Sequence, residues 1–139
     1  LKKYYLPDLH INLTKKLLNF ANTSIDISDG LFADLDKLIN VQKLSYKINL
    51  ANIPISKNLN KIISSKKLRK INFVSKGDDY QILFTASKKK SRIIKRTFKS
   101  LGIKISKIGN ISSGAQKSQI IDEKGNKIAI KNKGHFHNF

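Results

Sequence analysis

Asp26, Ser28 and Asp29 stand within four residues of one another in the stretch IDISDG, residues 25–30. If the segment is a strand, Asp26 and Ser28 share a face while Ile25 and Ile27 point into the core. Asp29-Gly30 then turns the chain into a helix. Two carboxylates and a hydroxyl at such a strand end can hold a hard cation through oxygen ligands, and helix-end N–H groups favour phosphate oxygens. Mg²⁺ bridging carboxylates and phosphates is the natural occupant, because it keeps waters and takes only one or two protein carboxylates. A plainer reading makes Ser28 or Asp29 the N-cap and leaves Asp34 and Asp36 as solvated helix surface. It does not explain Asp26, a carboxylate between two Ile where Val or Thr would suit a strand better. Spacing alone leaves both readings open.

A second pair of acids, Asp78 and Asp79, follows Gly77 and precedes Tyr80. A Gly-Asp turn at a loop tip would account for it. So would a site, since α/β-type proteins tend to keep their sites at the ends of sheet strands. The residues themselves therefore point to a cation or phosphate site made of Asp26, Asp29 and Asp78. His10 and the pair His135 and His137 flank opposite ends of the chain and carry no chemistry by themselves; the terminal His-x-His reads as a solvated tail. There is no Walker-type glycine loop, no G-x-S-x-G and no Cys nucleophile.

Several elements must position these groups. Leu13, Leu17, Leu18, Phe20 and Ala21 form a helical stripe over 13–22, before a short strand at 24–27. Leu31, Leu35, Leu38 and Ile39 are spaced for one face of the helix that follows Gly30. Residues 44–55 read as a strand running into a Pro-containing connection, and Ser56 caps a helix through Leu68. The most apolar strand is 80–87. Next comes an amphipathic helix over 88–102, with Ile93, Ile94, Phe98 and Leu101 inward and Gly102 as its stop. A strand over 103–111, with a bulge at Gly109, precedes a hairpin over 118–131 that turns at Lys124, Gly125 and Asn126. Helices alternating with strands imply an α/β or α+β layered structure with one mostly covered sheet.

Length and composition narrow the class. A chain of 139 residues is one domain's worth, long enough to bury a core without staples. It contains no Cys, which excludes disulfides and thiolate metal sites and suits a reducing compartment. No apolar run is long enough to span a membrane, so no membrane partner and a cytoplasmic location are expected. It also contains no Met, and reads as a piece of a longer polypeptide. The net charge of +19 invites a nucleic-acid reading, with Lys66–Lys70 and Lys88–Arg96 as the surface. Only Arg69, Arg92 and Arg96 are arginines, however, and the lysines are scattered among 21 Ile and 13 Asn. That pattern reads as compositional drift with lysines on solvated faces, and nucleic acid is not the expected partner.

IDISDGLFADL (25–35), KGDDYQILFTAS (76–87), ISKIGNIS (105–112) and the terminal GHFHNF together resemble the C-terminal domain of the thiamine-monophosphate kinases, across essentially the whole chain. The family pattern pairs I-D-I-S-D-G-L with G-G-E-D-Y-E-L-L-F-T, I-G-x-I and a final G-aromatic-x-H-F. The resemblance implies an α+β fold: an α/β/α layered sheet domain with partial ferredoxin-like topology, like the C-terminal domain of aminoimidazole ribonucleotide synthetase. It implies a transferase that phosphorylates thiamine monophosphate to thiamine diphosphate with ATP, Mg²⁺ ions cradling the phosphates. On this basis Asp26 and Asp29 match metal ligands, Ser28 an ATP contact, and Asp78 and Phe136 substrate contacts, His135 taking the place of Phe136 if the terminus is aligned on Gly134. Asp78 stands where the family has Glu, Lys76 replaces the first Gly and Gln81 the second Glu. The resemblance further implies one C-terminal domain over 1–139, inactive without the ATP-binding N-terminal domain of the same polypeptide, and a homodimer when full length. Related readings are sister enzymes of the superfamily, such as selenophosphate synthetase, the hydrogenase-maturation enzyme or the purine-synthesis synthetases. A basic nucleic-acid-binding module is the reading from another class.

Overall fold

The computed structural model describes residues 11–39, 42–77, 81–114 and 117–129. Asp78, Phe136 and the three histidines lie outside them. The described residues form two compact units. No helix among them is long and apolar enough to cross a membrane.

The first unit contains α1 (Ile11–Leu17), β1 (Ala21–Asp26), β3 (Ile82–Ala86) and α5 (Ser91–Ser100). α1 is shorter than the apolar stripe predicts. Phe20 N–H donates to Leu17 O at 3.0 Å, and Ala21 is already paired with Ala86. Asn22 and Thr23 are poor helix formers, so antiparallel pairing with β3 takes the segment instead. Leu18, counted in the stripe, is 86% exposed. Along β1, half-buried residues alternate with exposed ones, Ile25 half-buried and Asp26 exposed, but the strand ends at Asp26, so Ser28, expected on the same strand face, lies in the turn that follows.

The core of this unit is Leu13, Leu17, Phe20 and Phe98. Phe84 stacks on Phe98 with ring centroids 5.9 Å apart, and Phe20 lies tilted against both. α5 is preceded by a 3-10 turn, Lys88–Lys90, and the chain turns at Gly102 with φ +65°. Ile93 was expected inward and is instead 41% exposed; Phe98 and Ile94 fill the contact. Residues 103–108 are not strand. Ile103 packs on this core, so its apolar side chain serves the first unit rather than the sheet.

The second unit holds α2 (Leu31–Ile39), β2 (Leu44–Asn49), α3 (Lys57–Ser65), the short α4 (Ile71–Val74), β4 (Gly109–Ser113), β5 (Gln119–Ile121) and β6 (Lys127–Ile128). Its sheet has the order β4-β2-β5-β6, with β2 and β5 parallel and the other pairs antiparallel. The strands thus divide between two sheets, where a single one was expected, and the α+β class stands. Ser56 Oγ accepts from Leu59 N–H at 3.1 Å, the predicted cap, but α3 ends at Ser65 rather than Leu68. Gly109 is no bulge. It pairs in register with Ile48, and a Cβ there would strike the Lys47 carbonyl oxygen. The β5–β6 turn forms where the glycine predicts, with Gly125 at φ +89°. Asp122 organises it: its Oδ1 accepts from the N–H groups of Lys124 and Asn126 at 2.9 and 2.8 Å.

Candidate functional site

β1 ends at Asp26, whose side chain is exposed, and Ile27 is buried. The chain then makes the Ser28-Asp29-Gly30 turn and enters α2, where Asp34 N–H donates to Gly30 O at 3.0 Å. Asp34 sits one turn into the helix and is fully buried. Its Oδ2 reaches back to accept from Ser28 N–H at 2.9 Å and Asp29 N–H at 3.0 Å. A first-turn carboxylate bonded to backbone upstream of the helix is the logic of a capping box, carried here by an Asp one residue later than usual. The positive end of the helix also favours a carboxylate there.

Asp34 is therefore not solvated surface. It is the internal fastening of the turn that carries Ser28 and Asp29. Asp36 is not simply solvated either: it is half-buried and hydrogen-bonds Tyr46. Burial pushes the Tyr46 hydroxyl well above its ordinary pKa, and the Asp36 charge and hydrogen bond add to this. The N–H groups of Ser28 and Asp29, upstream of the helix, are bonded to Asp34 and are not the helix-end N–H groups expected to favour phosphate.

Lys37 completes the arrangement. Its Nζ donates to Asp34 Oδ1 at 2.9 Å and forms an ion pair with Asp29 Oδ2. These two carboxylates, Asp29 first, raise the Lys37 pKa above its ordinary value.

Two glycines set the local backbone. Gly30 has φ +122°, and a Cβ on it would collide with the Ser75 carbonyl oxygen. A Cβ on Gly77 would collide with the Ser28 carbonyl oxygen. The segments 28–30 and 75–77 thus lie backbone against backbone, each closed by the other's glycine. The 75–77 segment leads directly to Asp78, which is itself outside the described residues.

The donor chemistry fits Mg²⁺. Asp29 presents a carboxylate oxygen that already carries a cation, the Lys37 ammonium, and Asp26 offers an exposed carboxylate three positions earlier. Among the described residues no three His, Asp or Glu side chains gather into a metal cluster. The residues that sequence reasoning missed are Asp34 and Lys37. Their signal was present: Asp34 lies five residues after Asp29 and Lys37 three after Asp34, one helical turn on.

Elsewhere in the second unit a groove of about 660 Å³ is lined by Leu50, Asn60, Lys67, Lys70, Glu123 and Asn126. Lys70 Nζ there donates to Leu50 O and Ile53 O, both at 2.6 Å, and desolvation lowers its pKa. Of the predicted site residues that the structure describes, Asp26, Ser28 and Asp29 are not among those lining this groove.

No family model matches the chain. The thiamine-monophosphate kinase of Buchnera aphidicola subsp. Acyrthosiphon pisum is 37% identical over 141 residues, covering 99% of this chain and 42% of that protein. The crystal structure of thiamine-monophosphate kinase from Stenotrophomonas maltophilia K279a superposes with a TM-score of 0.70 at 26% identity, covering 91% of this chain and 39% of that one. AaThiL complexed with AMPPCP and TMP matches with a TM-score of 0.69 at 26% identity, covering 97% of this chain and 40% of that one. The chain spans less than half the length of the curated relatives it matches. Across 99% of its residues it is a relative of the thiamine-monophosphate kinases and corresponds to their C-terminal domain.

Proposed function

We infer that this chain supplies the C-terminal part of the active site of an ATP-dependent kinase that converts thiamine monophosphate to thiamine diphosphate. The observation that carries the reading is the similarity to thiamine-monophosphate kinases over 99% of the chain. The locked Ser28-Asp29 turn supports it, and so does the relative solved with AMPPCP and TMP.

Within that reading Asp26 and Asp29 hold Mg²⁺. The ion, when bound, neutralises charge on the transferring phosphates. Asp34 holds the turn so that the Asp29 carboxylate keeps one orientation. Ser28 contacts ATP, and Asp78 and Phe136 contact the thiamine phosphate. The remaining ATP contacts come from an N-terminal domain of the same polypeptide, of which this chain is the C-terminal half and which forms a cytoplasmic homodimer when full length. In phosphoryl transfer positioning and charge neutralisation supply most of the rate, so carboxylates anchored by a rigid turn are what the chemistry requires.

The test uses the polypeptide that joins this chain to its N-terminal domain, with ATP, Mg²⁺ and thiamine monophosphate. Thiamine diphosphate should form, and both Asp26→Asn and Asp29→Asn should lower turnover at least about 100-fold, a loss of about 2.7 kcal/mol of transition-state stabilisation. Absence of product from folded wild type at saturating Mg²⁺ would remove the reading. Turnover by the 139-residue chain alone would remove the assignment of half a site.

A further inference from the structure

We propose that Lys37 is a built-in counter-cation that holds the Asp29 carboxylate until a divalent ion displaces it. This rests on the reading of Asp29 as a metal ligand. Three features of the contact carry it. Asp34 is a fixed anchor, fully buried, with one oxygen engaged by two backbone N–H groups and the other by Lys37 at 2.9 Å. Lys37 bridges from that anchor to Asp29. The bridge also opens to solvent on its outer side, since the Lys37 side chain is 52% exposed and that of Asp29 22%.

A divalent ion approaching Asp29 therefore meets an occupied carboxylate. The ammonium need not leave the turn to make way. It can let go of Asp29 and stay on Asp34, three residues before it on the same helix. Lys37 sets one positive charge between the Asp29 and Asp34 carboxylates. Lys37 thus weakens metal binding at Asp29 while keeping two neighbouring carboxylates from repelling each other when no metal is bound. Exposed ion pairs are weak and yield readily, as a displaceable counter-cation must.

The probe is Mn²⁺ alone, titrated into the 139-residue chain and followed by electron paramagnetic resonance of the free ion. Lys37→Gln should bind Mn²⁺ about three- to tenfold more tightly than wild type, the effect of removing one competing, partly solvated charge. Lys37→Arg, which keeps the charge, should stay within about twofold of wild type. In an Asp29→Asn background Lys37→Gln should give no gain. Unchanged or weaker binding by folded Lys37→Gln, while Asp29→Asn alone still weakens binding, overturns the proposal and leaves Asp29 a metal ligand. Binding indifferent to Asp29→Asn overturns the ligand reading and this proposal with it. Should Lys37→Gln fail to fold, the wild-type Lys37 Cε resonance decides. It should shift on Mg²⁺ addition with the midpoint of metal binding, and a resonance that stays put at saturation refutes the displacement.

Discussion

Replacing Asp34 by Ala tests whether a single buried carboxylate fastens the acidic turn. The side chain is fully buried and accepts three hydrogen bonds, from Ser28 N–H, Asp29 N–H and Lys37 Nζ. Truncation leaves two backbone donors without their partner, at about 1–3 kcal/mol each where water cannot replace it. Loss of a carboxylate near the helix N-terminus adds about 0.3–1 kcal/mol. The lost Lys37 contact adds little, because that side chain is 52% exposed and the pair is screened by solvent. Both donors are only partly buried, so we expect Asp34→Ala to cost about 3–4 kcal/mol in urea denaturation. Asp34→Asn keeps an acceptor oxygen for the two N–H groups and should cost about 1–2 kcal/mol. Amide exchange gives the local readout, with Ser28 and Asp29 losing protection in Asp34→Ala before β2 does. A cost below about 1 kcal/mol for Asp34→Ala, or unchanged exchange at those two amides, would refute the fastening.

Three further outcomes follow from the packing. Gly30→Ala and Gly77→Ala each drive a Cβ into a backbone oxygen, of Ser75 and Ser28 respectively, and should each destabilise by about 2–4 kcal/mol; Gly102→Ala, at φ +65° with open space around it, should cost only about 1 kcal/mol in the same denaturation series. Phe98→Ala removes a buried ring stacked at 5.9 Å on Phe84 and should cost about 3–5 kcal/mol, read as a lowered urea midpoint with an unchanged slope. Tyr46 titrates higher folded than unfolded, so above its ordinary value of 10.0 the folded state retains a proton that the unfolded state has lost. Its contribution is whole below about pH 10 and declines above it, and Tyr46→Phe should flatten the alkaline limb of a stability-versus-pH curve measured by denaturation.

The site was legible where chemistry is local to a motif, and obscure where it depends on what is buried. Asp26 stood out because a carboxylate between two Ile contradicts strand propensity, and its exposed position on β1 bears out that alternation. Asp34 was obscure because an Asp in the first turn of a helix has the same composition whether it faces water or its own N-terminus. Only the backbone path of residues 28–30 separates the two cases. Gly30 and Gly77 are 47 positions apart, and each looks like an ordinary turn glycine until the other's carbonyl partner is known. The fold was read well where caps and turns are chemical, as at Ser56 and Gly125. It was read poorly where apolar periodicity served two masters. Phe20 and Ala21 continue a helical stripe and yet lead into β1, because pairing with β3 outweighs weak helix propensity. The division of strands between two sheets had no local signature at all.

The pairing of β1 with β3 sets an order of events in time. Asp26 pairs with Ile82, 56 positions later, and the intervening stretch includes α2, β2, α3 and α4 of the other unit. On a ribosome adding about 5–20 residues per second, β1 emerges about 3–11 s before its partner exists. Closing so long a loop by chance costs conformational entropy, and that cost falls if the inserted stretch has already condensed. The nascent chain therefore carries an unpaired strand edge for seconds, and a chaperone or the ribosome surface shielding residues 21–26 would act in that interval.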